Sequence, residues 1–215
     1  DHALLLANSV DYGLTGGLHT LDEREIAIWR EKVQVGNAYI NRGTTGAIVQ
    51  RQPFGGWKKS AFGYAKAGGP NYVYALSRFT DVTDDANALI AQAHKSYGEA
   101  WDTYFSQDHD PSQILGESNI LRYRKLARIL LRLTPESNPL DIERVLMATQ
   151  YINVPLYISL SDDTVTPPSF TLDSFRHASV QVEDEDAFIQ QIHNSKYRYT
   201  QRIRAIDPVN DAVRQ

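Results

Sequence analysis

Apolar residues recur at helical spacing in two stretches of the chain. Between Ala86 and Tyr104 they return at steps of three and four, which predicts one buried face on a long helix. A shorter helix is predicted after Asp22, because Glu25 lies three positions later, as in a capping box, and apolar residues follow at the same spacing.

Beyond residue 118, short apolar runs alternate with helical patterns. One helix is predicted to begin at Asn138 and Pro139, with Asn as the N-cap and Pro at the first helical position. Another is predicted to follow the acidic run 183–186. The runs that read as strands are 127–133, 155–160 and 178–182. Because strands that alternate with helices usually form parallel sheets, this part is predicted to be a small parallel α/β domain.

The first eighty or so residues predict shorter elements. A strand is predicted over 38–40, running into an exposed, turn-rich stretch at 41–46. Residues 72–82 alternate in polarity and end in acidic residues, which predicts a further strand that pairs with a partner chain.

Composition narrows the class of protein. Hydrophobic residues make up 42% of the 215 residues and charged residues 22%, which is typical of a globular protein. No apolar run approaches the roughly 18 residues that span a bilayer, so no membrane-spanning segment is expected. The chain has no cysteine, which excludes disulfides and a thiolate nucleophile within it and fits the cytoplasmic location that we expect. Because the chain starts with Asp1 and leads straight into a helical-looking run, we also expect it to be a piece of a longer protein.

A domain boundary is predicted between Gln107 and Ser118, where Asp, Pro, Ser and Gly residues cluster between two apolar patterns. Basic residues outnumber acidic ones in residues 1–80, whereas acidic residues prevail afterwards. The predicted segments are 1–82, a helix and acidic linker at 83–117, and a C-terminal domain at 118–215.

Common catalytic and metal-binding motifs are missing from the sequence. HExxH, GxxxxGK[ST] and GxGxxG do not occur, and the six histidines are scattered, so no metal site is predicted. The basic stretch from Arg122 to Arg132 is interpreted as a solvated strand edge, because its surroundings are acidic, and no nucleic-acid partner is expected. The acidic run 183–186 is interpreted as complementing a helix dipole rather than as a cation site.

Glycine-rich blocks near the start are the strongest signal in the sequence. Glycine lets backbone amides approach a ligand where a side chain would clash. In chain order the blocks are Tyr12–Gly17, Gly36–Arg42, Thr45–Val49, Gln52–Gly56 and Gly68–Pro70. Together they resemble the C-terminal part of the aldehyde dehydrogenase superfamily over about residues 1–82. They are similar above all to the glutamate-semialdehyde (pyrroline-5-carboxylate) dehydrogenases of proline utilization A proteins, whose long forms carry a segment that Gly116–Arg124 resembles.

The resemblance implies an α/β fold. The first part of the chain is then a C-terminal fragment of an aldehyde dehydrogenase catalytic domain, with an oligomerisation flap strand at 72–82. The second part is then a small Rossmann-like domain. It also implies NAD-dependent oxidation of glutamate semialdehyde to glutamate through a cysteine thiolate, with NAD held by residues outside this chain and FAD in an upstream proline dehydrogenase module. The fragment itself is expected to be inactive and to bind no cofactor.

Three residues are candidates for substrate binding by this resemblance. Gly46 and Ala47 match the positions whose backbone N–H groups bind the substrate carboxylate, and Phe54 matches the aromatic residue that packs on the aliphatic chain of the substrate. The residues alone leave two alternative interpretations open. Gly46 and Ala47 could form an ordinary turn, and Phe54 could be a buried core residue. A non-catalytic oligomerisation or effector-binding module is the alternative function.

Overall fold

The computed structural model describes residues 2–48, 51–61, 63–162, 165, 178–194 and 202–208. The chain forms two compact units. The N-terminal unit comprises residues 1–80 and 108–122, and the C-terminal unit comprises residues 81–107 and 123–215. Compared with the predicted segments, the helical part of 83–117 groups with the C-terminal unit, and residues 108–117 group with the N-terminal one.

Short elements tied by loops build the N-terminal unit. A parallel pair (β2 and β3) and two antiparallel pairs (β1 with β4, β5 with β6) form its ladders. The predicted helix after Asp22 is confirmed, since the Asp22 carboxylate accepts the N–H of Arg24 at 2.8 Å. The elements are α1 (His2–Asn8), β1 (Tyr12–Gly13), β2 (Thr15–Leu18), α2 (Glu23–Lys32), β3 (Asn37–Ile40), β4 (Trp57–Lys58), a 3₁₀ turn (Tyr74–Leu76), β5 (Asp108–His109) and β6 (Leu121–Arg122).

The predicted flap strand at 72–82 is wrong in this structure. Tyr74–Leu76 forms a 3₁₀ turn instead, and its backbone bonds are local, with the N–H of Ser77 donating to Tyr74 O at 3.1 Å. A strand needs a neighbouring strand to satisfy its N–H and C=O groups, whereas a 3₁₀ turn satisfies some of them within the segment. Alternating polarity indicates that a segment could form a strand, but it does not show that a neighbouring strand is present.

The C-terminal unit confirms the predicted parallel α/β arrangement. Its four strands within the described residues lie in the order β10-β7-β8-β9, and all neighbouring pairs are parallel. The helix predicted between residues 86 and 104 is confirmed and finishes in a π-helical turn. The elements are α3 (Ala86–Ala100), the π turn (Trp101–Phe105), β7 (Ile129–Leu133), α4 (Pro139–Ile152), β8 (Leu156–Leu160), β9 (Ala178–Val182), α5 (Glu185–His193) and β10 (Arg202–Ala205).

Both faces of this sheet are covered. Leu131 and Leu133 on one face pack with Leu146 of α4, whereas Leu130 on the other face packs with Phe188 of α5. All five residues of β7 are buried, as expected for an internal parallel strand. None of the helices in the described parts of the chain combines the length and apolar character that crossing a bilayer requires.

Arg132 corrects the interpretation of the basic stretch as a solvated strand edge. It lies on β7, an internal strand between β10 and β8, and only 3% of the residue is exposed. Its guanidinium donates to Ser159 Oγ at 2.7 Å and to the backbone carbonyl of Glu183 at 2.8 Å. A charge this deep is held because these groups replace the water that it loses.

Candidate functional site

The loop that follows β3 carries Gly46 and Ala47. Gly46 has φ of +83° and is exposed, and a Cβ added there would meet nothing within 4 Å. Glycine is therefore favoured at this position by backbone conformation rather than by crowding. Within the described residues, the structure shows no hydrogen bond from the amide of Gly46 or Ala47 to another group of the chain. These two amides therefore keep their hydrogen-bonding capacity for a ligand or water.

The side chain of Gln52 braces the loop that carries these amides. Its Oε1 accepts the N–H of Ile48 at 3.2 Å, and its own backbone N–H donates to Ile48 O at 2.9 Å. Its Nε2 donates to Asn119 Oδ1 at 3.0 Å. Because both ends of the amide are engaged, Gln52 fixes the end of the loop next to Ala47.

Asn119 is the buried end of this chain of contacts, at 8% exposure. Its N–H donates to Asp110 Oδ2 at 2.9 Å, and its Nδ2 donates to Ser112 Oγ at 3.1 Å. The bond from the Asn119 N–H, followed by that from the Ser112 hydroxyl, holds the pKa of Asp110 below its usual value. Residues 110–119, which the sequence predicts as part of a linker, form a hydrogen-bonded loop that supports Gln52.

Phe54 lies in the next glycine block and is half-buried. Its backbone pairs with Ala67 through two hydrogen bonds of 2.9 Å. The side chain of Asn37 clamps the residues on either side of Phe54, since it donates to Pro53 O at 3.1 Å and accepts the N–H of Gly55 at 3.2 Å. Phe54 thus has a fixed backbone and a side chain that is not sealed in a core.

Close backbone packing sets the position of this block. A Cβ on Gly36 would lie 1.8 Å from Gly55 O, so glycine is required where the two segments touch. The ammonium of Lys66 donates to Gly36 O, and burial lowers the pKa of Lys66. Hydrogen bonds through Gln52, Asn37 and Lys66 therefore connect the segments that carry Gly46, Ala47 and Phe54.

Sequence reasoning missed Gln52, Asn37, Asn119 and Lys66. Asn37 and Gln52 lie inside glycine blocks, so their position in the sequence could have indicated that their side-chain amides bond to the nearby backbone. Asn119 and Gln52 are 67 residues apart in sequence, and no local pattern pairs them.

The carboxyl edge of the sheet in the C-terminal unit is where open parallel α/β sheets bind ligands. The strand order changes direction between β10 and β7. There the carboxylate of Asp207 accepts the hydroxyl of Thr134 at 2.8 Å and also that of Ser137, just ahead of the first turn of α4. A nucleotide phosphate would meet this carboxylate at the helix N-terminus, so the described residues do not fit a dinucleotide there.

The acidic run 183–186 divides between two roles. Asp184 caps α5 by accepting the N–H of Ala187 at 2.8 Å, as the helix-dipole interpretation expects. Glu183, at 6% exposure, instead accepts the Ser159 hydroxyl at 2.6 Å beside Arg132. In the described ranges no group of three or more His, Cys, Asp or Glu residues is placed to hold a metal ion.

Residues 1–83 match the model of the aldehyde dehydrogenase family, which confirms the resemblance carried by the glycine blocks. Two similar relatives are the proteins named 1-pyrroline-5-carboxylate dehydrogenase from Bacillus cereus (strain B4264) and Bacillus subtilis (strain 168). Each is 53% identical over 73 residues, which covers 34% of this chain and 14% of the relative.

A solved structure of Proline Utilization A (PutA) from Corynebacterium freiburgense is similar to most of the chain. It is 35% identical with a TM-score of 0.61, and the match covers 85% of this chain and 22% of that one. The match therefore extends well beyond residues 1–83. The chain spans only a small part of the length of each protein that it matches.

Proposed function

We propose that this chain is part of an NAD-dependent L-glutamate γ-semialdehyde dehydrogenase of proline catabolism. In this role it supplies the loop that anchors the substrate carboxylate, together with elements of assembly. The observation that carries the proposal is the exposed Gly46–Ala47 loop, whose amides have no partner among the described residues, in the segment 1–83 that matches the aldehyde dehydrogenase family model.

The division of labour follows from the chemistry. Oxidation of an aldehyde by this route needs a thiolate nucleophile, and none of the 215 residues is a cysteine. NAD supplies a hydride acceptor when it is bound, and Asp207 opposes its phosphates in the C-terminal unit. The nucleophile and the NAD site therefore belong to a part of the enzyme outside this chain, and the chain alone is inactive. FAD in a further proline dehydrogenase module belongs to the same proposal.

Each site residue has a distinct role in this proposal. The amides of Gly46 and Ala47 donate to the substrate carboxylate, and such charge-assisted bonds are stronger than neutral ones. Phe54 packs on the aliphatic chain of the substrate. Gln52 and Asn119 are positioning residues, because they act by holding the loop end at Ile48.

Replacing Ala47 with proline in the complete dehydrogenase tests the anchor. Proline has no N–H, so one bond to the carboxylate is lost while the side chain stays small. A hydrogen bond to a charged group contributes about 1.5–3 kcal/mol, so we expect KM for the semialdehyde to rise roughly 10- to 150-fold. Steady-state kinetics with NAD in excess measure the change.

Two controls separate binding from folding. Ala47→Ser keeps the N–H and is expected to retain a KM within about threefold of the starting enzyme. Oxidation of propanal, which has no carboxylate, should be affected equally little by both substitutions. If Ala47→Pro slows propanal and semialdehyde alike, the loop has a structural role and the proposed anchor is wrong.

A second candidate function, self-association, is favoured by the exposed face of the 72–79 segment. Five large apolar residues there are between 47% and 80% exposed: Tyr72, Val73, Tyr74, Leu76 and Phe79. Contiguous exposed apolar clusters are uncommon on monomeric proteins and often mark surfaces that bind another protein. We propose that a second copy of the chain covers this segment.

Substituting Leu76 and Phe79 together with aspartate tests this association. Two charges in a desolvated contact disfavour association, so we expect the starting chain to sediment as a dimer at micromolar concentration and the double variant to sediment as a monomer. Leu21→Asp is the matched control, because Leu21 is 95% exposed and lies outside the segment. A starting chain that is monomeric, or a dimer that survives the double substitution, would contradict the proposal.

A further inference from the structure

A cavity of about 270 Å³ lies in the C-terminal unit. Its walls come from the last turns of α3 and α4, from the π turn, and from the segment 123–126 that leads into β7. Because that segment precedes β7 and α4 precedes β8, the cavity lies toward the amino ends of the strands. It is therefore distinct from the carboxyl edge, where Asp207 lies.

Five of the eleven residues that line the cavity are aromatic. Tyr97, Trp101 and Phe105 line it from α3 and the π turn, and Tyr123 and Tyr151 line it from the other two segments. The rings of Phe105 and Tyr123 meet edge to face, with centroids 4.7 Å apart and planes at 83°. A flat ligand placed against these side chains would gain a large apolar contact area.

The π turn places two of these rings on one wall. The N–H of Ser106 donates to Trp101 O at 3.1 Å, a five-residue spacing that widens the helix and aligns Trp101 with Phe105. The two rings therefore reach the cavity from the C-terminal end of the helix.

Tyr151 is fixed in place before any ligand binds. Its hydroxyl donates to the backbone carbonyl of His94 at 2.9 Å, and its ring lies against Gly98, where an added Cβ would be 3.2 Å from the ring. The lining is therefore preorganised, which lowers the entropic cost of binding.

Two basic residues, Arg124 and Lys125, also line the cavity. The Lys125 ammonium lies 5.0 Å from the centroid of the Trp101 ring, and the residue is exposed. A cation at the edge of an aromatic cavity complements a ligand that combines a flat apolar body with one anionic group.

We propose that this cavity binds a planar aromatic acid of one or two rings. Its volume lies just below the range of drug-sized sites, so it limits the ligand to about that size. The ring system stacks within the aromatic wall, and the anionic group lies at Lys125. Such a site gives the C-terminal unit an effector role that does not depend on the carboxyl edge of the sheet or on the proposed dehydrogenase function.

Calorimetric titration of the 215-residue chain with 2-naphthoate tests the site, with 2-naphthalenemethanol as the uncharged comparison. We expect saturable binding of one naphthoate per chain, quenching of tryptophan fluorescence, and about fivefold weaker binding of the alcohol. No saturable heat with naphthoate, or equal affinities for acid and alcohol, would overturn the proposal.

Three variants locate the binding. Ala148→Phe fills the cavity from α4 and should abolish binding of both compounds, whereas Lys125→Met should weaken naphthoate about fivefold and leave the alcohol unchanged. Lys95→Met is the matched control, because Lys95 is an exposed lysine of α3 that does not line the cavity. Circular dichroism verifies that each variant is folded. Naphthoate binding that a folded Ala148→Phe variant leaves intact would place the ligand elsewhere and refute the assignment.

Discussion

Replacing Arg132 with methionine is expected to lower the free energy of unfolding of the C-terminal unit by about 3–5 kcal/mol. Methionine fills much of the volume but donates no hydrogen bond. The guanidinium bonds to Ser159 Oγ and to the carbonyl of Glu183 would both be lost, together with the 3.3 Å contact to the carboxylate of Glu185. The Glu183 carboxylate, in a residue at 6% exposure, accepts the hydroxyl of Ser159 in the same network, so the loss of Arg132 leaves buried polar groups without their shared donor, which accounts for most of the expected loss.

Urea denaturation followed by circular dichroism measures this loss. Arg202→Met is the control, since Arg202 is an exposed arginine on β10 of the same sheet, and we expect a change below about 0.5 kcal/mol. Adding Glu183→Gln to Arg132→Met should recover part of the stability, because the second substitution replaces a buried carboxylate with a neutral amide of similar size. An Arg132→Met variant as stable as the control would show that the buried network contributes little.

Periodicity predicted those elements that bury a face within their own unit. The helix from Ala86, the helix capped by Asn138 and the strands at 127–133 and 155–160 all bury residues in the C-terminal unit. The strand at 178–182 pairs with β8, although most of its residues are exposed. Their apolar spacing and caps agree with the packing, so local and global preferences coincide. The same reasoning misread Arg132, because one arginine in an apolar run does not reveal that its guanidinium donates to a backbone carbonyl 51 residues further on.

The candidate site depended on the resemblance more than on physical pattern. Glycine blocks identify positions where backbone needs room, and Gly36 against Gly55 shows such a position in the structure. The bracing of the anchor loop by Gln52 and Asn119 is a contact between distant segments, which no local pattern encodes. Sequence alone therefore located the loop but not the side chains that hold it.

Replacing Gly36 with alanine is expected to destabilise the N-terminal unit by at least about 3 kcal/mol. The new Cβ would lie 1.8 Å from Gly55 O and 2.7 Å from both Gly55 C and Gly56 Cα. All three are backbone atoms, so a rotamer change cannot relieve the clash and a whole segment has to move. That movement would also disturb the bond from the Gly36 N–H to Gly13 O, at 2.9 Å, and the bond from Lys66 to Gly36 O.

Gly43→Ala is the matched control for this substitution. An added Cβ at Gly43 meets nothing within 4 Å, and its φ lies outside the left-handed region, so we expect a change below about 1 kcal/mol. Amide hydrogen exchange resolved by peptide measures the two units separately. Gly36→Ala should raise exchange throughout residues 12–40 and leave β7 and β8 protected. Unchanged protection of residues 12–40 would mean that the segments carrying Gly36 and Gly55 separate at little cost in free energy. The close contact between them would then not be what positions Phe54.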